Sequence, residues 1–326
     1  MLQFFRNNQL HTAFFVIIAS LPFLWAALNS SEIATANDLK FFIAINQNKS
    51  IALAVFSILL LSQAFWLNNL INYYRIGKKT SFYTAIIFVF LSLSFKDTQL
   101  IGRSILSNFL VIAAVYQYFK AYDDKNTVKE IFNAAFFCSL AVVVNPQCFP
   151  YLLFTIAAWL KVRTFTIKEF VILLFGITAP FYLIGTYMYL NGSLLSWFSY
   201  LVANFGRISS TIEPDLFFWI TVSGIGFLGL ISILNYGAIK AKTNIREQKY
   251  IDLLFMLLFF TGLFWLMNSK IDNDSIRMLA LPLSIFISLN LQATKNQKLC
   301  ELQFYILIIV VILANYGEQI FKLLGF

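Results

Sequence analysis

The chain has 326 residues, of which 60% are apolar, 18% aromatic and only 12% charged. A soluble globular chain carries about a quarter charged residues, so this composition cannot clothe a water-facing surface and excludes a soluble enzyme, a disordered chain and a collagen-like fibre. The net charge of +9 does not point to nucleic acid, because membrane proteins keep surplus Lys and Arg on their cytoplasmic side.

Eleven apolar runs follow in order, a number that the length allows at about 20 residues per crossing. Residues 12–28 read as an uncleaved first helix, since many spans follow and no small-x-small cleavage pattern ends the run. The polar stretch 29–50 holds Glu32, Asp38 and an amphipathic piece, Leu39-Lys40-Phe41-Phe42-Ile43, suited to the interface. Residues 51–74 form the second span, where Gln63, Asn68 and Asn69 are expected to face other helices rather than lipid. A basic turn, Arg75-Ile76-Gly77-Lys78-Lys79, precedes a short third span at 81–95. The loop Lys96-Asp97-Thr98-Gln99 leads to the fourth, at 100–119, with Arg103 just inside it. In the charged loop 120–130, Asp123-Asp124 beside Lys125 reads as a solvated turn rather than a metal site.

The fifth and sixth spans, 131–144 and 149–160, make a tight hairpin about Asn145-Pro146-Gln147-Cys148-Phe149-Pro150, where proline forces a true break. Both are shorter than a full crossing, so either they tilt little or their turn is sunk below the membrane surface beside a cavity. The seventh span, 169–190, contains Pro180 as an expected kink. Within the long connection 191–215, the aromatic-rich stretch 194–205 reads as an interfacial helix. The eighth span, 216–236, carries Gly224, Gly226 and Gly229, which permit close helix approach. The remaining spans are 250–267, 276–291 and 302–316, and no repeat of fixed period links them.

Charge sets the orientation. With the N-terminus inside and eleven alternating spans, the inner segments hold 16 of the 24 Lys and Arg but only 7 of the 15 acids, so the whole +9 lies on the inner face. The outer loops keep their own charges: Glu32, Asp38, Asp97, Arg103, Arg207, Glu213, Asp215, Asp272, Asp274 and Arg277. If these loops converge, a carboxylate can act as a general base toward a hydroxyl, and arginines can clamp a phosphate bidentately. That pairing suits sugar transfer from a polyprenyl-phosphate donor. Glu32, Asp38 and Asp97 are the candidate catalytic acids; Arg103, Arg207 and Arg277 are the candidate phosphate or lipid contacts. The plain alternative is that short polar loops carry charges for solubility, and that Arg277 and Arg103 are anchors snorkelling to headgroups. The only histidine is His11, which excludes a His-built metal site or a Ser-His-Asp triad. Cys138, Cys148 and Cys300 form neither C-x-x-C nor a disulfide framework, and no cofactor is assigned.

Two resemblances attach to these residues. Ala64-Phe65-Trp66-Leu67-Asn68-Asn69, the run from Ile131-Phe132-Asn133-Ala134 through Ser139-Leu140-Ala141, and Phe175-Gly176-Ile177-Thr178-Ala179-Pro180-Phe181-Tyr182-Leu183 resemble an uncharacterised multi-pass membrane family of Bacteroidota over most of the chain. That family implies no established activity. More distantly, the chain resembles the GT-C glycosyltransferase superfamily, which uses lipid-linked sugars. Arg277-Met278-Leu279-Ala280-Leu281-Pro282-Leu283 is similar to its late Arg-x-x-x-x-Pro helix start. Leu140-Ala141-Val142-Val143-Val144-Asn145-Pro146-Gln147 is similar to its Lys-Pro-Gln turn, with Asn145 in place of Lys. Glu32 and Asp38 fall in the first outer loop, which is acidic in that superfamily, although no paired-Asp motif is present.

The expected protein is therefore an all-α, polytopic transmembrane helix bundle of about eleven spans, GT-C-like, with a cytoplasmic N-terminus. It forms one integral membrane domain over residues 1–326 with no separate soluble domain. Its expected place is the bacterial inner membrane. Two functions are weighed: a GT-C-like transferase or related handler of polyprenyl-linked glycans at the periplasmic face, or a non-catalytic subunit of an envelope complex for secretion, motility or lipid handling. Expected partners are membrane lipid, polyprenyl-phosphate lipid and other envelope membrane proteins, with no nucleic acid. A secondary transporter ranks last, because internal repeats and midspan ionisable residues are lacking.

Overall fold

The computed structural model describes residues 10–30, 48–77, 80–94, 102–123, 127–204, 216–267, 273–294 and 296–323. Among these there are thirteen α-helices, one 3-10 turn and no strand. In chain order they are α1 Leu10–Ser30, α2 Lys49–Tyr73, α3 Tyr83–Leu93, α4 Arg103–Asp123, α5 Val128–Val144, the 3-10 turn Pro146–Cys148, α6 Pro150–Val162 and α7 Ile167–Leu190. Then come α8 Leu194–Asn204, α9 Leu216–Leu234, α10 Tyr236–Lys240, α11 Ile245–Met267, α12 Asn273–Ala293 and α13 Gln297–Leu323. Each of the eleven apolar runs falls on one of these helices; of the two stretches expected at the interface, 194–205 is α8, whereas 39–43 lies outside the described residues.

Among the described residues four helical segments, Lys49–Tyr73, Ile167–Leu190, Phe217–Leu234 and Gln297–Gly317, are long and apolar enough to cross a membrane. α7 shows what solvates them. It buries only Leu173, Gly176 and Pro180, while Phe175, Tyr182, Leu183 and Tyr187 are exposed. A helix that turns large apolar side chains outward along its length needs hydrocarbon around it. The chain is an all-helical membrane protein. α7 also runs unbroken through Pro180.

The chain divides into two compact units, one of Met1–Ile105, Glu213–Glu247 and Ala280–Phe326, the other of Leu106–Ile212 and Gln248–Leu279. The first is built around α3. All eleven residues of this helix are buried, with α1, α2 and α13 packed against it. Phe90 meets Phe23 of α1 edge to face and Phe304 of α13 at a tilt. Thr84 Oγ1 and Ser288 Oγ share a hydrogen bond of 2.9 Å, and Asn315 Nδ2 donates to the Leu93 carbonyl at 2.8 Å. The last contact satisfies a carbonyl that the end of a helix leaves open. Eleven residues rise only about 16 Å, so the predicted third span does not cross hydrocarbon on its own. It is a half-length helix enclosed by protein, which is where such segments are tolerated.

The turn before α3 is held by three hydrogen bonds, two to Asn72 and one from Gln292. Asn72 Nδ2 donates to the Ser81 carbonyl at 3.1 Å, Ser81 N–H donates to Asn72 Oδ1 at 3.2 Å, and Gln292 Nε2 donates to Ser81 Oγ at 2.9 Å. Gly77 adopts φ +134, and a Cβ there would lie 2.5 Å from Gln292 Oε1. Two of the three expected glycine contacts occur: Gly224 rests on Val310 and Gly229 on Leu283, whereas Gly226 faces open space. Gln63 and Asn68 are buried as expected, and Gln63 Nε2 donates to the Ile105 carbonyl at 2.6 Å. Asn69 is exposed, contrary to expectation. One residue turns a helix by about 100°, so Asn69 leaves the face that Asn68 buries.

The second unit is a bundle of helices that alternate in direction. One of its ends is closed by polar side chains. Lys120 pairs with Glu130 at 3.4 Å and Lys161 with Asp252 at 2.9 Å. Arg163 Nε and Nη2 donate to the Ala121 carbonyl at 3.2 and 3.0 Å. These contacts gather the C-terminal ends of α4 and α6 with the N-terminal ends of α5 and α11. Asp123, the last residue of α4, is exposed to solvent as expected, and its Oδ1 also accepts from the Tyr250 hydroxyl at 2.6 Å. Asp124 lies outside the described residues.

Candidate functional site

The site lies toward the other end of this bundle, where α5, the 3-10 turn and α6 form the predicted hairpin. α5 and α7 run parallel in close contact. A Cβ on Gly176 would lie 2.8 Å from both Ala135 Cβ and the Phe132 carbonyl oxygen, and Ser139 Oγ donates to the Ile177 carbonyl. From that level α5 ends within two turns, at Val144, while α7 continues to Leu190. At 1.5 Å per residue the hairpin turn stops about 10 Å short of the end of α7. α8 then packs against the end of α7 and the 3-10 turn, with Trp197 3.7 Å from the Cβ position of Gly185. The turn is sunk within the protein beneath an aromatic helix.

Local chemistry explains the break. Pro146 and Pro150 each take a first-turn position of a new helix, where a missing N–H costs nothing. Asn145 supplies the cap: its Oδ1 accepts the Gln147 N–H at 3.3 Å. Asn145, Pro146, Cys148 and Pro150 are buried.

The start of α12 meets this turn. Cys148 Sγ lies 3.4 Å from Met278 Sδ, beside Arg277, which is only 3% exposed. Asn108 of α4 donates through Nδ2 to the Arg277 carbonyl at 3.3 Å, and Ser107 Oγ donates to the Ala141 carbonyl at 3.4 Å. Asn108 is 1% exposed, and its Oδ1 has no hydrogen-bond partner among the described residues. Arg277 therefore carries a buried guanidinium in the second turn of a helix, near the positive end of the helix dipole. Burial and dipole both raise the cost of that charge, and both favour an anion beside it. Burial also removes Arg277 from the role of a snorkelling anchor, which needs its head in water or headgroups.

The other predicted site residues are distributed as follows. Glu32, Asp38, Asp97 and Arg207 lie outside the described residues. Arg103 opens α4, half-buried, in the first unit. Arg277 and the Asn145-Pro146-Gln147 turn are brought together through Cys148 and Met278. Asn108 was missed, although a carboxamide inside an apolar span is the same signal that singled out Gln63 and Asn68. Among the described residues no group of three His, Cys, Asp or Glu is placed to hold a metal ion. The three cysteines are free thiols.

No curated protein and no solved structure matches the chain. One family model, that of a family of unknown function (DUF6427), matches residues 1–324.

Proposed function

The chain belongs to the DUF6427 family, whose function is unknown, and from that premise we propose that it is a multi-pass inner-membrane protein that binds the phosphate of a polyprenyl-linked glycan near the periplasmic ends of its helices. The buried guanidinium of Arg277, set against the recessed Asn145–Cys148 turn, is the observation that carries this reading. An ionised side chain inside a membrane bundle is expensive and marks function by default. Arginine, with a planar fork of donors, suits a phosphate better than a lysine does. Orientation is supported by Lys120, Lys129, Lys161, Arg163, Lys168 and Lys249, which lie near the closed end of the second unit. Surplus basic residues favour the cytoplasm, which puts Arg277 on the periplasmic side. The resemblance to lipid-linked sugar transferases supplies the substrate class, with Glu32, Asp38 or Asp97 as base and Arg103 and Arg207 as further contacts.

The test is binding of polyprenyl phosphate to the purified protein in lipid nanodiscs, read by native mass spectrometry. Arg277→Gln is expected to weaken binding by about 10- to 100-fold, the loss of one charge-assisted contact, and Arg277→Lys to recover part of it. In the transferase reading, Asp97→Asn abolishes glycan product and leaves lipid binding intact. Unchanged lipid binding by the Arg277→Gln protein overturns the proposal. Stoichiometric co-purification with an envelope partner and no lipid binding favours the subunit reading instead.

A further inference from the structure

The carboxamide of Asn108 deepens this reading by narrowing the headgroup, and it rests on Arg277 being a phosphate contact. Its orientation is fixed by chemistry. The Arg277 carbonyl can only accept, so the atom 3.3 Å from it must be Nδ2. Oδ1 is thereby committed as a buried acceptor, and among the described residues nothing donates to it. Buried polar atoms in native proteins are nearly always paired, so the site lacks a donor at this point. A phosphodiester, or a monoester that is fully ionised, only accepts and cannot supply one. A hydroxyl can, and sugar and polyol phosphates carry one close to the phosphorus. We infer that the site recognises a lipid-borne phosphate with a neighbouring hydroxyl, Asn108 Oδ1 accepting from the hydroxyl while Arg277 takes the phosphate. The lipid-borne class follows from the proposed function: both residues are buried in a chain that carries apolar helices of membrane-crossing length.

Two lipids separate the parts. Dioctanoyl phosphatidylglycerol carries hydroxyls beside its phosphate, and dioctanoyl phosphatidylmethanol carries the same monoanionic diester without one. With the full-length protein in nanodiscs, native mass spectrometry is expected to show a preference of about 3- to 10-fold for phosphatidylglycerol, the worth of one hydrogen bond. Asn108→Ala is expected to erase that preference while still binding both lipids. Asn108→Asp, which keeps an acceptor and loses the donor, is expected to bind both more weakly and retain the preference. A purely structural tie between α4 and α12 predicts that the Ala and Asp proteins lose affinity for both lipids in equal proportion, and that result overturns the inference. So does a wild-type protein without preference, in which case the phosphate reading stands if Arg277→Gln still loses both lipids. If Arg277→Gln binds both as before, the underlying reading fails as well. Excess glycerol 1-phosphate is expected to leave bound phosphatidylglycerol in place, and displacement overturns the lipid-borne assignment.

Discussion

Glu169 shows how single residues tie this protein together. Thr166 caps α7, its Oγ1 accepting the Glu169 N–H at 3.3 Å, which is one half of a capping box. The Glu169 carboxylate turns away to its neighbours. Oε1 accepts from Thr127 Oγ1 at 3.0 Å and Oε2 from Trp159 Nε1 at 3.2 Å, joining the start of α7 to the start of α5 and the end of α6. Trp159 is 1% exposed, so removing its acceptor strands a buried N–H. Glu169→Ala is expected to lower stability by about 1–3 kcal/mol. Glu169→Gln keeps one carbonyl acceptor and is expected to lose about half as much. Thermal unfolding in detergent measures both, and equal melting points for the wild type and the Ala protein would refute the role. Neither this triad nor the contact of Asn108 with Arg277 was legible in the sequence. Their partners stand 42 and 169 residues apart, and no local pattern encodes such pairs. Arg277 and Asn145 were legible, because each sits in a short motif with a proline whose backbone consequence is local.

Helix packing depends on a few small side chains. Gly176 lets α7 rest its backbone on α5, with no room for a methyl group between it and the Phe132 carbonyl. A backbone oxygen cannot swing aside as a flexible side chain can. Gly176→Ala is therefore expected to destabilise by about 1–3 kcal/mol through overpacking, despite the better helix propensity of alanine. Gly226→Ala, facing open space, is expected to be neutral or slightly stabilising. A melting point lowered equally by both substitutions would show that glycine flexibility, not close approach, is what matters. Hydropathy located every element of this kind, because apolar runs bounded by Pro, Gly and charge mark helices whatever their surroundings. It could not separate crossings from half-helices. α3 reads in sequence as a short span, yet it is tied into the protein by Ser288, which bonds the Thr84 side chain, and by Asn315, which donates to the Leu93 carbonyl, residues that reach it only in the folded chain. The exposed Asn69 reflects the same blindness, since sequence reports that a residue is polar but not which face of the helix it occupies.

For the chain as a whole, the proposed function depends on which ends of the helices face the cytoplasm. Loops 120–130, 161–168 and 240–249 were assigned to one side by charge alone. In the second unit, contacts among Lys120, Glu130, Ala121, Arg163, Lys161, Asp252, Asp123 and Tyr250 bring helix ends from all three to one place. Charge counting and geometry are independent, and they agree that these basic helix ends share one side of the second unit. α7 offers the sharpest test, being long enough at 24 residues to cross and exposed at both Lys168 and Asn191. Cys138 and Cys148 are buried, so a Cys300→Ser background leaves little native thiol to react. Introduced singly there, Asn191→Cys is expected to react with a membrane-impermeant maleimide in cells whose outer membrane has been permeabilised. Lys168→Cys is expected to react only after the inner membrane is broken. Labelling of both from the outside would mean that α7 does not cross, and reversed labelling would place Arg277 and the recessed turn on the cytoplasmic side, where a periplasmic glycan lipid cannot reach them.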